Sequence, residues 1–326
     1  VDARRRHLEP PASEFAKRGV VVRRGALDAD AVSALAAAAD GSLAAFEKEV
    51  LAPQNKTIRD SFDDASGTTR PGARVDVRHR AAEFVAQRLG TCEAELADDD
   101  RGVGTRLLRD LLPLVKAALR TDRPRLLYLG FVRAFAGGTV DQPWHRDAAS
   151  LFESSRGACD APDTPPHVLN IFFPLVDLRQ ENGPTAFAPG THSDGACRDA
   201  LATIIERGDP AQQLSPLLSQ GDAVMFDCRL LHRGRANRSS KDRVIAYLTV
   251  AAPWWRDDEM FHSTQPTTAA ALLGEALLAR TASRPDDDDD GGGHPHYTLK
   301  IESMVEDRPD LAAPAALFLA RASEEV

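Results

Sequence analysis

At 326 residues the chain can bury a substantial core, either as one large domain or as two small ones. Hydrophobic residues make up 43% and charged residues 27%, an ordinary globular composition, and the net charge of −9 argues against nucleic acid or an anionic membrane as partner. No apolar run has bilayer-spanning length, and the start, Val1-Asp2-Ala3-Arg4-Arg5-Arg6-His7, lacks the apolar stretch of a signal peptide. It also lacks an initiator Met, so a targeting segment upstream is compatible with the chain as it stands. The cysteines 92, 159, 197 and 228 have no C-x-x-C spacing and read as scattered thiols of a reducing, cytoplasmic protein.

Residues 1–14 read as a polar tail. Gly19 then introduces a short strand, Val20 to Val22, and Asp28 is a good N-cap for an Ala-rich helix from about Ala29 to Glu49. Residues 53–79 are polar and Gly-containing without a clear period. They read as loop and short strand, with Asp76 and His79 on a solvated surface. Helical patterns return at Ala81 to Leu89 and Arg106 to Leu119, where Pro113 must stand at a boundary or kink. From Leu126 the texture becomes that of strands: Leu126 to Phe135, Val168 to Val176, Thr185 to Ala188, Ala223 to Cys228 and Arg243 to Ala251. Between them lie a long polar loop, Ala148 to His167, suited to a lid carrying Phe152, and a helical stretch at Asp199 to Arg207. Helices first and turn-separated strands afterwards predict an α+β fold. Its core would be a double-stranded β-helix, the jelly-roll or cupin-like barrel, at about 126–252. A C-terminal extension, 256–326, is predicted helical at Thr268 to Thr281 and Leu311 to Ala322. A low-complexity acidic, Gly-rich loop interrupts it at 284–293.

The chemistry centres on Gln142-Pro143-Trp144-His145-Arg146-Asp147. Residues two apart in an extended segment share a face, so His145 and Asp147 project together. His232, at the end of Phe226 to His232, is the best third partner. Two histidines and one carboxylate with open positions form the facial triad of non-haem Fe(II) oxygenases. Arg243 opens the strand after His232, so it is expected on the antiparallel neighbour, facing the same interior. A buried guanidinium there needs an anionic partner, and its fork fits a carboxylate. Asn170 is a polar residue on an otherwise apolar strand and is expected to line the pocket. Arg133 fits either the barrel mouth or an outer ion pair. Trp254 and Trp255 read as a core plug, and His294 and His296 as solvated loop residues.

Taken together, these features resemble the phytanoyl-CoA dioxygenase (PhyH) family of Fe(II)/2-oxoglutarate-dependent oxygenases. The resemblance rests on Trp144-His145-Arg146-Asp147, Leu175 to Leu178, Glu181-Asn182-Gly183-Pro184-Thr185, Pro189-Gly190-Thr191-His192, Gly221-Asp222, His232 and Arg243. It extends over residues 15–255. It implies that His145, Asp147 and His232 ligate Fe(II) and that Arg243 receives the distal carboxylate of 2-oxoglutarate. Thr185 and Gln142 would help to bind this co-substrate, joined by Asn170 on the strength of its place on the strand, and His192 would be structural. The implied reaction consumes O2 and 2-oxoglutarate, hydroxylates a C–H bond of a small molecule and releases succinate and CO2, with ascorbate helping in vitro. Desaturation or cyclisation by the same chemistry and a catalytically silent cupin-like binding protein are the alternatives. Halogenating relatives lack the carboxylate that Asp147 supplies, which disfavours halogenation. The expected state is a monomer, without nucleic-acid or membrane partners.

Overall fold

The computed structural model describes residues 11–58, 69–70, 74–80, 108, 111–138, 140–148, 164–192, 213–253 and 255. The helices expected at 81–89, 199–207, 268–281 and 311–322, the loop at 284–293, and residues 149–163 of the long polar loop lie outside these.

The first helix, α1 (Pro11–Arg18), begins inside the expected polar tail and leads through Gly19 into β1 (Val20–Arg23). Asp28 caps α2 (Ala29–Phe46) as anticipated, its carboxylate accepting from Ala31 N at 2.8 Å. The helical path then loosens through a π turn, Glu47–Leu51, and a 3-10 turn, Ala52–Gln54. By length and composition the run Ala29–Gln54 would also suit a membrane crossing, but Val32, Leu35 and Ala39 are committed to the main core. Next come β2 (Thr69–Arg70), β3 (Arg74–Arg80), α3 (Leu112–Leu119) and β4 (Arg125–Ala134). Pro113 sits in the first turn of α3, where its missing N–H costs nothing. The chain continues with β5 (Val168–Pro174), β6 (Ala186–Phe187), β7 (Ala223–Asp227), β8 (His232–Arg233) and β9 (Arg243–Ala251).

Seven strands form one antiparallel sheet in the order β1-β7-β5-β9-β4-β3-β2, and β6 pairs with β8 in a small second sheet. This is the two-sheet architecture expected of a jelly roll. The central strand β9 is buried along its whole length. Its even positions, Val244, Ala246, Leu248 and Val250, join Leu169, Ile171 and Phe173 of β5 and the apolar stripes of α2 and α3 in the main core. The odd positions, Arg243, Ile245 and Tyr247, turn to the opposite face and line a pocket beneath the small sheet. Strand alternation thus sorts one face to the core and the other to the site.

Two expectations are corrected here. Residues 74–80 are not solvated loop but strand β3, paired residue by residue with β4. Val75 and Val77 pack with Phe46 and Leu51, while Asp76 is buried on the pocket side; His79 belongs to the same strand. The strands carrying His232 and Arg243 are also not neighbours. Strand β8 pairs with β6, whereas β9 lies between β4 and β5, so the two residues meet across the pocket from different sheets.

The turn from β7 to β8 is fixed by a buried ion pair. Asp227 and Arg229 are 0% and 1% exposed and meet at 2.7 Å, and Asp227 also accepts from Arg229 N at 2.9 Å. Arg229 further donates to Thr164 O at 3.1 Å, which ties down the C-terminal end of the long polar loop. Burial alone would raise the Asp227 carboxyl, but Arg229 and its hydrogen bonds hold it below the usual range. Asp227→Asn removes the carboxylate charge that the buried Arg229 guanidinium meets at 2.7 Å. It is expected to cost about 3–5 kcal/mol, read from the urea midpoint; a change below about 1 kcal/mol would mean that the pair is not a structural buckle.

Candidate metal centre and pocket

The two histidines are brought together by their own backbones. His145 N donates to His232 O and His232 N donates to His145 O, both at 3.0 Å. Asp147 N and Ala148 N both donate to Cys228 O, at 2.8 and 3.1 Å, so the β7–β8 turn seats the second ligand segment as well. Each imidazole Nδ1 faces a carbonyl, Pro143 O for His145 at 2.9 Å and Leu230 O for His232 at 3.0 Å. Because a carbonyl only accepts, both rings carry their proton on Nδ1 and present Nε2 as the basic nitrogen. Those nitrogens lie 3.8 and 3.3 Å from the Asp147 carboxylate oxygens. All three ligand atoms fall within 4.8 Å of one another.

The carboxylate is held by a relay from the large sheet. Asn170 Nδ2 donates to Asp147 Oδ2 at 2.7 Å, and Thr249 Oγ1 donates to Asn170 Oδ1 at 2.6 Å. Burial works to raise the Asp147 carboxyl, but His232, His145 and Arg78 together hold it well below the ordinary carboxylate range. An ionised carboxylate and two imidazoles whose Nε2 can exchange a proton for a metal, all on one side of an open space, fit a divalent first-row metal with positions left for other ligands. Phe226 and Phe187 flank the His232 ring, with centroids 4.8 and 6.1 Å away.

Every residue expected at the site lines this one pocket: Gln142, His145, Asp147, Asn170, Thr185, His232 and Arg243. Gln142 Oε1 is committed to Gly234 N at 2.9 Å, so contact with a ligand falls to its Nε2. Asn170 is engaged with Asp147 and Thr249, which makes it a support for the carboxylate more than a ligand of the co-substrate. Thr185 follows Gly183, whose positive φ of +71° and close approach to Ala236 O leave no room for a side chain. Arg243 is 1% exposed and donates to Asn182 O and Arg235 O, both at 3.2 Å. Burial and the nearby charge of Arg74 push it down to about 9, so it remains a cation at neutral pH.

The open choice for Arg133 is settled on the outer face, where it pairs with Asp40 of α2 and lies 3.5 Å from Asp242. Trp255 is buried against His167, centroids 4.2 Å apart, and Trp254 lies outside the described residues. His192 is structural: its Nε2 donates to Ala16 O at 3.2 Å.

A polar wall from β3 and β9 was not expected. Arg78 Nε donates to Tyr247 Oη at 2.7 Å, Tyr247 Oη donates to Asp76 Oδ1 at 2.8 Å, and Arg78 Nη2 meets Asp76 Oδ2 at 2.9 Å. Burial raises Tyr247 well above an ordinary phenol, so it stays protonated as the donor to Asp76. Gly130 makes the space: a Cβ there would lie 2.2 Å from the Tyr247 ring. The available signal was the alternation of Arg74, Asp76 and Arg78 with Val75 and Val77.

With this geometry in place, comparison with known proteins is decisive for the family. The family model for phytanoyl-CoA dioxygenase (PhyH) matches residues 15–245. The chain belongs to the phytanoyl-CoA dioxygenase family. Among its relatives, Dioxygenase hkm4 of Aspergillus hancockii is 34% identical over 104 residues, covering 32% of this chain and 30% of that protein. Dioxygenase FrzG of Cladobotryum sp is 29% identical over 107 residues, 33% of this chain and 34% of that one. An uncharacterised protein of Saccharomyces cerevisiae, YJR154W, is 27% identical over 137 residues, 41% and 37% of the two chains. The chain thus matches only about a third of the length of these relatives. For the fold, the crystal structure of EctD from S. alaskensis with 2-oxoglutarate and 5-hydroxyectoine superposes with a TM-score of 0.50. It is 20% identical, with 82% of this chain and 81% of that one covered.

The Asn170 relay yields a direct test. Asn170→Ala is expected to leave the fold intact but to weaken Co(II) binding roughly 10- to 100-fold, the usual effect of losing a partner that orients a metal ligand. Equilibrium titration of the metal-free protein measures it; unchanged affinity would show that Asp147 needs no such support.

Proposed function

We propose that this protein is an Fe(II)- and 2-oxoglutarate-dependent dioxygenase that hydroxylates a C–H bond of a small molecule. The observation that carries the reading is the convergence of His145 Nε2, Asp147 and His232 Nε2 on one side of a pocket whose lining also includes the buried cation Arg243. In the net reaction one oxygen atom of O2 enters the substrate and the other enters succinate, with CO2 released. Fe(II) held by the triad would supply the activation of O2.

The chain's own contribution is placement. His145, Asp147 and His232 hold the metal while leaving the pocket side open. Arg243 receives the distal carboxylate of 2-oxoglutarate, and Thr185 and Gln142 Nε2 add hydrogen bonds to it. Asn170 keeps the Asp147 carboxylate turned toward the metal. Phe172, Ile245 and Val132 give the pocket apolar surface, and the Asp76–Arg78–Tyr247 wall gives it fixed polar groups, a mixture suited to a small organic substrate. A reducing compartment suits both Fe(II) and the buried thiol of Cys228.

His145→Ala and Asp147→Ala are each expected to abolish succinate formation from 2-oxoglutarate with Fe(II), O2 and ascorbate, and wild-type rates in either would refute the metal assignment. Arg243→Ala is expected to raise the KM for 2-oxoglutarate by roughly thirtyfold to several thousandfold, as the loss of a buried charge pair of about 2–5 kcal/mol implies. An unchanged KM would remove Arg243 from the co-substrate site.

A further inference from the structure

A smaller cavity, of about 10 Å3, adjoins the metal pocket. Phe172, Thr185 and Ile245 line both spaces and so form the partition between them. Beyond the partition the wall is apolar, and no polar atom surfaces in the cavity. Leu178, Phe187, Leu218 and Val224 supply most of it and belong to one cluster, which joins β7 of the large sheet to β6 of the small one. Phe187 carries the cavity to the back of a metal ligand, because its ring lies at 27° to the His232 imidazole, centroids 6.1 Å apart. The outer wall is the segment from Leu214 to Leu218. It is pinned at one end by the two backbone hydrogen bonds between Leu214 and Phe187, at 2.8 and 2.9 Å. At the other end Leu218 O accepts from Leu178 N at 2.7 Å. Between these anchors Pro216 lines the cavity and is half-buried, and Leu217 beside it is 53% exposed. The cavity therefore runs from just beneath the surface to the partition.

A space of this size has room for about one water-sized molecule. Water needs two or more polar partners to reside there, and this lining offers none, so the cavity is dry and suited to an apolar gas. It is too small for an alkyl arm of a substrate. Dioxygen has the matching chemistry: two atoms, no dipole, and greater solubility in hydrocarbon than in water. A diacid and an organic substrate seated in the metal pocket would also close the aqueous way to the triad. We propose that this cavity is a dioxygen site, the last station of an apolar route that reaches the triad past Phe172, Thr185 and Ile245. The route rests on the function proposed above, whereas the affinity of the cavity for the gas does not.

The test is methyl-resolved NMR of the full chain loaded with Zn(II), which is diamagnetic, under raised O2 pressure. Dioxygen is paramagnetic and speeds the relaxation of the methyl groups it visits. The methyls of Leu178, Leu218 and Val224 are expected to respond several-fold more strongly than those of Leu35, Leu51 and Leu119, which are buried to the same degree elsewhere. An equal response would overturn the site. Val224→Phe fills the cavity and is expected to remove the difference at Leu178 and Leu218. If that variant does not fold, Val224→Ile, one methylene larger, is expected to reduce it. An undiminished difference in the folded variant places the gas elsewhere and overturns the proposal. In the chain loaded with Fe(II) and 2-oxoglutarate, the folded variant is also expected to slow several-fold the bleaching of the anaerobic visible absorption on rapid mixing with O2. The 2-oxoglutarate concentration for half saturation should not change. Bleaching at the wild-type rate overturns the route. A wild-type chain that develops no such absorption overturns the functional reading and the route with it, and the relaxation data then decide the gas site alone.

Discussion

The site depends on one pair of hydrogen bonds, those exchanged between the backbones of His145 and His232. These residues are far apart in the chain, and the two bonds fix the separation and mutual tilt of the imidazoles before any metal arrives. Trp144 and Arg233, facing one another from the two segments next to this bridge, reinforce it: the Arg233 guanidinium lies 4.7 Å over the Trp144 ring. Trp144 itself packs with Ala186, Ala188 and Leu231, so the small sheet is clamped onto the ligand segment. The Asp227–Arg229 buckle holds the turn whose Cys228 carbonyl receives Asp147 N. Preorganisation of this kind lets three side chains act as a chelate, because little ordering remains to be done on binding.

The other half of the site is made by alternation in the large sheet. Along β9 and β3, residues of one parity build apolar cores, and those of the other parity present Arg243, Tyr247, Arg74, Asp76 and Arg78 to the pocket. Burying so many ionisable groups is costly unless each has a partner. Asp76, Arg78 and Tyr247 satisfy one another, and Asp147 is supported by Asn170 and the histidines. The end at Arg243 and Arg74 differs in kind, since two like charges converge there. That difference divides the pocket into a mutually hydrogen-bonded wall beside the triad and an end lined by two buried guanidinium groups.

Much of this was legible in the residues. Strand Arg243 to Ala251 reads directly from its unbroken apolar and β-branched run and was found with the expected ends. His145, Asp147 and His232 could be paired because H-x-D in an extended segment places two ligands on one face. In residues 53–79 the sequence supports no more than loop and short strand, and the buried inner face of β3 is what it conceals. In Arg74-Val75-Asp76-Val77-Arg78 the period of two is present, but a charged inner face looks like a solvated one when the pocket it borders is unknown. The partner of β8 was misjudged for a related reason, because chain order suggests a hairpin and the jelly-roll crossing sends β8 to β6 instead. The Asp227–Arg229 pair left no periodic signal at all, as its significance comes only from complete burial.

Under the proposed function the triad and the Arg243 end of the pocket act as one site, holding a metal and a 2-oxo diacid together. The most direct measurement is anaerobic visible spectroscopy of the Fe(II)-loaded full chain during titration with 2-oxoglutarate. Chelation of the 2-oxo acid by Fe(II) produces a metal-to-ligand charge-transfer band, which is expected to rise saturably in the wild type. It should be absent in Asp147→Ala and shifted to much higher 2-oxoglutarate concentration in Arg243→Ala. A wild-type protein that binds Fe(II) yet develops no such band, or an Asp147→Ala variant that develops it undiminished, would contradict the assignment.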